Sequence, residues 1–119
     1  MIEQLSPVLY TSDFAATIKC YTELLSFEQV SDPDMTGWAL LRSGTVELMI
    51  SAPNEHIPFP AAGFTGSFYF RVSDVDACWQ RLKDQLKVCY PLENFAYGMR
   101  EFAVYDNNGY LLQFGQAIP

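Results

Sequence analysis

Ser12-Asp13 and Ser73-Asp74 stand about half a chain apart, each after an apolar run (Val8-Leu9-Tyr10 and Phe68-Tyr69-Phe70) and each at the head of an amphipathic segment. Their recurrence decides the fold. Asp and Ser are favoured helix N-caps because a side-chain oxygen accepts an otherwise unbonded backbone N–H. Downstream, Ser43-Gly44 and Asn108-Gly109 each introduce another apolar strand-like run, Val46 to Ile50 and Leu111 to Phe114. Two copies of a strand, a helix and three further strands account for this layout. An internal repeat governs the fold assignment. It places function between the two curled sheets, in a groove that neither copy makes alone.

The first copy reads as a strand over 5–10, a helix over 13–25, a short strand over 27–30 and a hairpin of 38–42 with 45–51. Phe14, Ile18, Tyr21 and Leu25 recur at helical spacing. Asp32-Pro33-Asp34 is a turn. The second copy reads as a strand over 67–72, a helix over 74–86 with Val75, Cys78, Trp79, Leu82 and Leu86 on one face, and a short strand over 87–90. An irregular stretch over 91–98 follows, then a closing hairpin of 100–105 with 110–115. Between the copies Pro53, Pro58, Pro60 and Gly63 oppose regular structure. The expected organisation is therefore one domain of two modules, 1–52 and 66–119, joined by a Pro/Gly-rich linker over 53–65.

Composition narrows the function. Half of the 119 residues are hydrophobic, which suits a packed globular chain. Fourteen acidic residues against seven basic ones give a formal charge of −7, and no basic cluster is present, so nucleic acid is not an expected partner. An acidic chain favours cationic ligands. No apolar run approaches the roughly 20 residues of a membrane span, so no membrane partner is expected. Cys20, Cys78 and Cys89 are odd in number and widely spaced, which reads as reduced thiols in a cytoplasmic protein.

The stretch Pro7-Val8-Leu9-Tyr10-Thr11-Ser12-Asp13 through Leu24-Leu25-Ser26-Phe27 resembles the opening strand and helix of the vicinal oxygen chelate superfamily, which includes glyoxalase I, extradiol dioxygenases and bleomycin-resistance proteins. Ser67 to Asp76 is similar to the start of its second module. Tyr97 to Ala103 with Asp106 to Phe114 is similar to its closing hairpin, particularly in the bleomycin-resistance form. The resemblance implies an α+β fold of two paired βαβββ modules, with curled mixed sheets around a cleft, and a homodimer. Metal-dependent members carry His, Glu or Gln ligands on the first, fourth, fifth and eighth strands. Carried over, those positions are Ser6, Glu47, Ser67 and Gln113.

Among these four, Glu47 alone is a good anionic donor. His56, the single histidine, lies in the linker. A transition metal takes at least three good donors. The metal site is therefore expected to be lost, and no cofactor is expected. The expected function is metal-independent binding of a small cationic or aromatic molecule in the cleft, of the bleomycin-resistance-like type. The expected ligand-binding residues are Trp38, Glu47, Tyr69, Tyr97, Arg100, Phe102 and Gln113, with Glu47 or Glu101 supplying charge. The alternative is a lyase, isomerase or dioxygenase of the same superfamily, with a displaced metal or with Glu47 as general base. In its resting state Glu47 is expected to pair with Arg100 or to bond Gln113.

Overall fold

The computed structural model describes residues 1–119. They form two compact units, Met1–Ala62 and Gly63–Pro119, whose boundary falls inside the expected linker. The first unit runs β1 (Val8–Tyr10), α1 (Phe14–Lys19), a π-helical turn (Cys20–Leu24), β2 (Glu28–Gln29), β3 (Trp38–Ser43) and β4 (Val46–Ser51). The second runs β5 (Phe68–Arg71), α2 (Val75–Leu82), β6 (Lys87–Asn94), β7 (Met99–Tyr105) and β8 (Leu111–Ala117). Each is a βαβββ unit with an open, mixed four-stranded sheet. The orders β1-β4-β3-β2 and β5-β8-β7-β6 are the same permutation. In both, the first strand lies parallel to the last. The fold is α+β, and no helix is long and apolar enough to cross a membrane.

The caps that announce the repeat work identically. Asp13 Oδ1 accepts the Ala16 N–H at 3.1 Å, and Asp74 Oδ1 accepts the Ala77 N–H at 3.0 Å. The helices are shorter in α form than their periodicity suggests. After Lys19 the first winds into the π turn, and α2 gives way to turns over 83–86, where the Gln85 and Leu86 N–H groups both bond Leu82 O.

Strand alternation sorts side chains onto two faces of each sheet. In the first sheet Leu9, Ala39, Leu41, Leu48 and Ile50 are buried on the helix side, with Tyr21, Leu25 and Phe27 also in that core. In the second, Phe70, Phe102 and Phe114 are helix-facing. Phe102 stacks on Phe114 at 5.1 Å between centroids and meets Trp79 of α2 at 5.2 Å. Phe102 has no exposed surface. This corrects its placement among ligand-binding residues. It is in register with Phe114, one position out of phase with Glu101, and so belongs to the core.

The largest departure from the sequence reading is β6. The chain does not break at Pro91 but continues as a strand to Asn94, with register shifts between Val88 and Tyr90 and between Tyr90 and Glu93. Proline is tolerated because β6 is an edge strand with bulges, where a missing N–H removes no ladder bond. Replacing Phe102 by Ala should lower the denaturation midpoint by an amount worth about 3–5 kcal/mol, the range for a buried aromatic ring. A loss below about 1 kcal/mol would contradict its core placement.

Candidate functional site

The open face of the second sheet carries an unusual acid. Glu101 sits at the middle of β7 with 1% of its surface exposed. Its Oε1 accepts the Tyr69 hydroxyl at 2.8 Å and its Oε2 accepts the Tyr90 hydroxyl, while the Tyr97 phenol acts electrostatically on the same carboxylate. The molecule's two ion pairs, Arg42–Glu47 and Arg100–Asp76, both lie elsewhere. Charge of one sign in the interior is stable only when well hydrogen-bonded. Here neutral phenols do that work in place of a cation.

Local structure explains how three tyrosines converge. Tyr69 on β5 is in register with Gln113 on β8, and Gly115 on β8 with Glu101 on β7. The Tyr69 side chain crosses β8 over Gly115, where a Cβ would collide with its hydroxyl. A side chain at 115 would therefore displace the Tyr69 ring, so the close approach, and not the dihedral angles, favours glycine there. Tyr90 arrives by a different device. With an unbroken register, the pairs Lys87–Tyr105 and Val88–Val104 would continue as Cys89–Ala103, and Tyr90 would join the helix-facing set. The shift after Val88 pairs Tyr90 with Ala103 instead. One extra residue in a strand reverses which face its side chains take. Tyr97 comes from the β6–β7 turn, where its ring stacks on Phe95 at 5.4 Å and 15°, and Phe95 meets Tyr90 edge-on at 5.6 Å.

A polar relay extends from the acid. Gln113 Nε2 donates to the Tyr90 hydroxyl at 2.9 Å, and Ser67 Oγ donates to Gln113 Oε1 at 2.5 Å. Burial pushes the Glu101 carboxyl up, but the phenols of Tyr90, Tyr97 and Tyr69 outweigh it and hold the group below the ordinary value. The phenols respond in the opposite sense. Burial, then the bond to Glu101, pushes Tyr69 and Tyr90 up to about 12. Tyr97 is also raised, chiefly by Glu101.

The other expected residues lie elsewhere. Trp38 and Glu47 share the open face of the first sheet, where Trp38 pairs with Ser51 and Glu47 with Arg42. Glu47 takes its hydrogen bonds from residues of its own unit. Arg42 Nη2 and Nε reach its Oε2 at 2.8 and 3.1 Å, while Gln4 and Ser6 donate to its Oε1. The hydrogen bond from Arg42 holds its carboxyl below the usual range. Arg100 lies on the helix side with Phe102, bonded to Asp76 at 2.8 and 3.0 Å and to Asn94 at 3.1 Å. Its guanidinium faces away from Glu101 because β7 alternates. The linker ring Phe59 rests edge-on against Tyr10 at 5.7 Å.

A family model for the Glyoxalase/Bleomycin resistance protein/Dioxygenase superfamily matches residues 3–114. The chain belongs to this superfamily. Solved structures agree in fold. A protein of unknown function from Agrobacterium tumefaciens str. C58 superposes with a TM-score of 0.84 at 21% identity, covering 99% of this chain and 96% of that one. TioX from Micromonospora sp. ML1 gives 0.76 at 21% identity, over 98% and 100% of the two chains. Lactoylglutathione lyase from Agrobacterium tumefaciens gives 0.69 at 18% identity, over 97% and 94%. No curated protein matches the sequence significantly.

The superfamily's metal positions can be tested on these residues. In the first unit Ser6 bonds Glu47 at 3.3 Å, and Arg42 already neutralises that carboxylate. In the second, Ser67 bonds Gln113. No three His, Cys, Asp or Glu side chains gather where a metal ion would be held. Two hydroxyls, an amide and one arginine-paired carboxylate do not fit a transition metal.

Phenolate absorbance checks the second-sheet network. Unfolded tyrosines ionise near 10, so the stability that Tyr69 and Tyr90 gain as neutral donors is full below pH 10 and is lost as pH rises toward 12. Part of the absorbance change should therefore appear only near pH 12, and Glu101→Gln should move it down. Gly115→Ala should release Tyr69 and move its share alone. All tyrosines titrating together near 10 in the folded protein would contradict the network.

Proposed function

We propose that this chain binds a small cationic or aromatic molecule, without a metal, on the open face of the second sheet around Glu101. The supporting observation is an ionised, buried carboxylate bonded only by phenols, with the stacked Phe95–Tyr97 pair beside it. Negative charge without a protein cation attracts a cation from solution, and aromatic faces add cation–π and stacking contacts. Glu93, in register with Glu101 on β6, adds charge of the same sign. Gln113 and Ser67, at superfamily metal positions, serve here as the outer hydrogen bonds of the same network.

A second reading is catalysis of the lyase or dioxygenase kind with Glu47 as base, favoured by the likeness to lactoylglutathione lyase. Glu47 is poorly matched to that role. A general base works best with a pKa near the working pH, and Arg42 draws Glu47 in the other direction.

Calorimetry with N-methylacridinium, a flat aromatic cation, and with neutral acridine tests the binding reading. Glu101→Gln should weaken the cation and leave acridine nearly unchanged. Tyr97→Leu should weaken both, by about 0.5–2 kcal/mol for the cation. Equal affinities in wild type and both variants would remove this face as the binding site.

The reading also includes a homodimer. Both sheets are open and end in edge strands, β1 and β2 in one and β5 and β6 in the other, and such edges favour pairing or cover. Light scattering at micromolar concentration should give twice the 13.5 kDa chain mass. A monomer mass that does not change with concentration would contradict it.

A further inference from the structure

We propose that the Glu101 face selects a fully alkylated ammonium, one with no N–H, over a primary or secondary ammonium. This rests on the reading that a cation binds there, and it names the class of cation.

The argument begins with what a ligand would meet. Glu101 is 1% exposed and is covered by the hydroxyls it accepts. A cation on this face therefore touches rings and feels the carboxylate through them. Tyr69 is 39% exposed and Tyr97 is 64% exposed, with Phe95 stacked beneath Tyr97. A phenol that donates its proton toward an anion gains electron density in its ring, which strengthens the negative ring face that holds cations. Tyr69 and Tyr90 make that donation to one carboxylate, and Tyr97 feels the same charge.

Directly over the rings acceptors are scarce, the exposed Glu93 on β6 being the further carboxylate in register with Glu101. Each Glu101 oxygen already receives a hydroxyl, and the Tyr90 oxygen also accepts from Gln113. A primary ammonium set against these rings turns part of its strongly hydrated N–H surface from water onto weakly accepting ring faces, which costs it hydration. A trimethylammonium group has no such N–H surface and offers methyl surface to the rings. Of the basic residues in phase with Glu101, Lys87 on β6 sits over the Tyr105 ring at 5.6 Å. Arg71 on β5 is exposed beside Gly115, and its charge acts on Tyr69 in the lowering direction.

Three probes of matched shape decide the matter: benzyltrimethylammonium, benzylammonium and neutral neopentylbenzene, each titrated into the full chain and followed by calorimetry and by tyrosine ring NMR shifts. Benzyltrimethylammonium should bind about tenfold tighter than either of the others, the scale of one good cation–π contact. Tyr97→Leu, at a largely solvent-exposed ring, should cut that preference without disturbing the fold, and Glu101→Gln should cut it further. If benzylammonium or neopentylbenzene binds as tightly while N-methylacridinium still depends on Glu101, the selectivity is wrong and the cation-binding reading stands. If neither ammonium probe nor N-methylacridinium binds, both are wrong. Benzyltrimethylammonium binding that is indifferent to Tyr97→Leu and Glu101→Gln would also overturn the proposal.

Discussion

A carboxylate that is buried yet ionised must be satisfied from within the protein, and the open face of the second sheet is organised around that requirement. Glu101 takes two phenol hydroxyls, with a third phenol acting on its charge, and no cation. Each phenol depends on a specific local feature. Tyr69 needs the missing Cβ of Gly115, Tyr90 needs an extra residue in β6, and Tyr97 needs the Phe95 ring to lie against. Desolvating an anion is costly unless hydrogen bonds replace its water, and the net charge then remains available to attract a counter-ion.

The contrast with Glu47 is instructive. The two acids lie in corresponding sheets but in opposite electrostatic situations. Glu47 is partly exposed and paired with the half-exposed Arg42, so its charge is cancelled locally. Glu101 is buried and paired with dipoles only. Charge on the page of a sequence does not distinguish them, because the difference lies in which cation the fold brings near. Arg42 reaches Glu47 through the β3–β4 register, whereas Arg100, adjacent in sequence to Glu101, turns to the opposite face and binds Asp76.

Much of the fold is legible in the residues. The Ser-Asp pairs at 12–13 and 73–74, the helical spacing after them and the Asn-Gly turn at 108–109 are local signals, and local signals fix helices and hairpins. At the closing turn Asp106 adds its side chain, accepting the Asn108 and Tyr110 N–H groups at 2.8 and 3.0 Å. What resisted reading was the face taken by each side chain. In β7 simple alternation separates Phe102 from Glu101 and would have moved Phe102 to the core. In β6 alternation fails, because bulges change the phase on either side of Tyr90. The signal available for them was Pro91 directly after a β-favouring Tyr, since proline inside a strand run points to an edge with irregular pairing. The convergence of Tyr69 on Glu101 is set by register between distant strands, to which no local pattern points.

The central claim is that Glu101 is an anion held by phenols. The most direct measurement is a pH titration of the Glu101 carboxyl carbon by NMR in protein labelled at glutamate, assigned by its disappearance in Glu101→Gln. The account predicts a midpoint below the ordinary glutamate value of about 4.3. A midpoint above that value would mean that desolvation wins. Glu101 would then be a proton donor to its tyrosines, and the face would carry no charge to offer a cation.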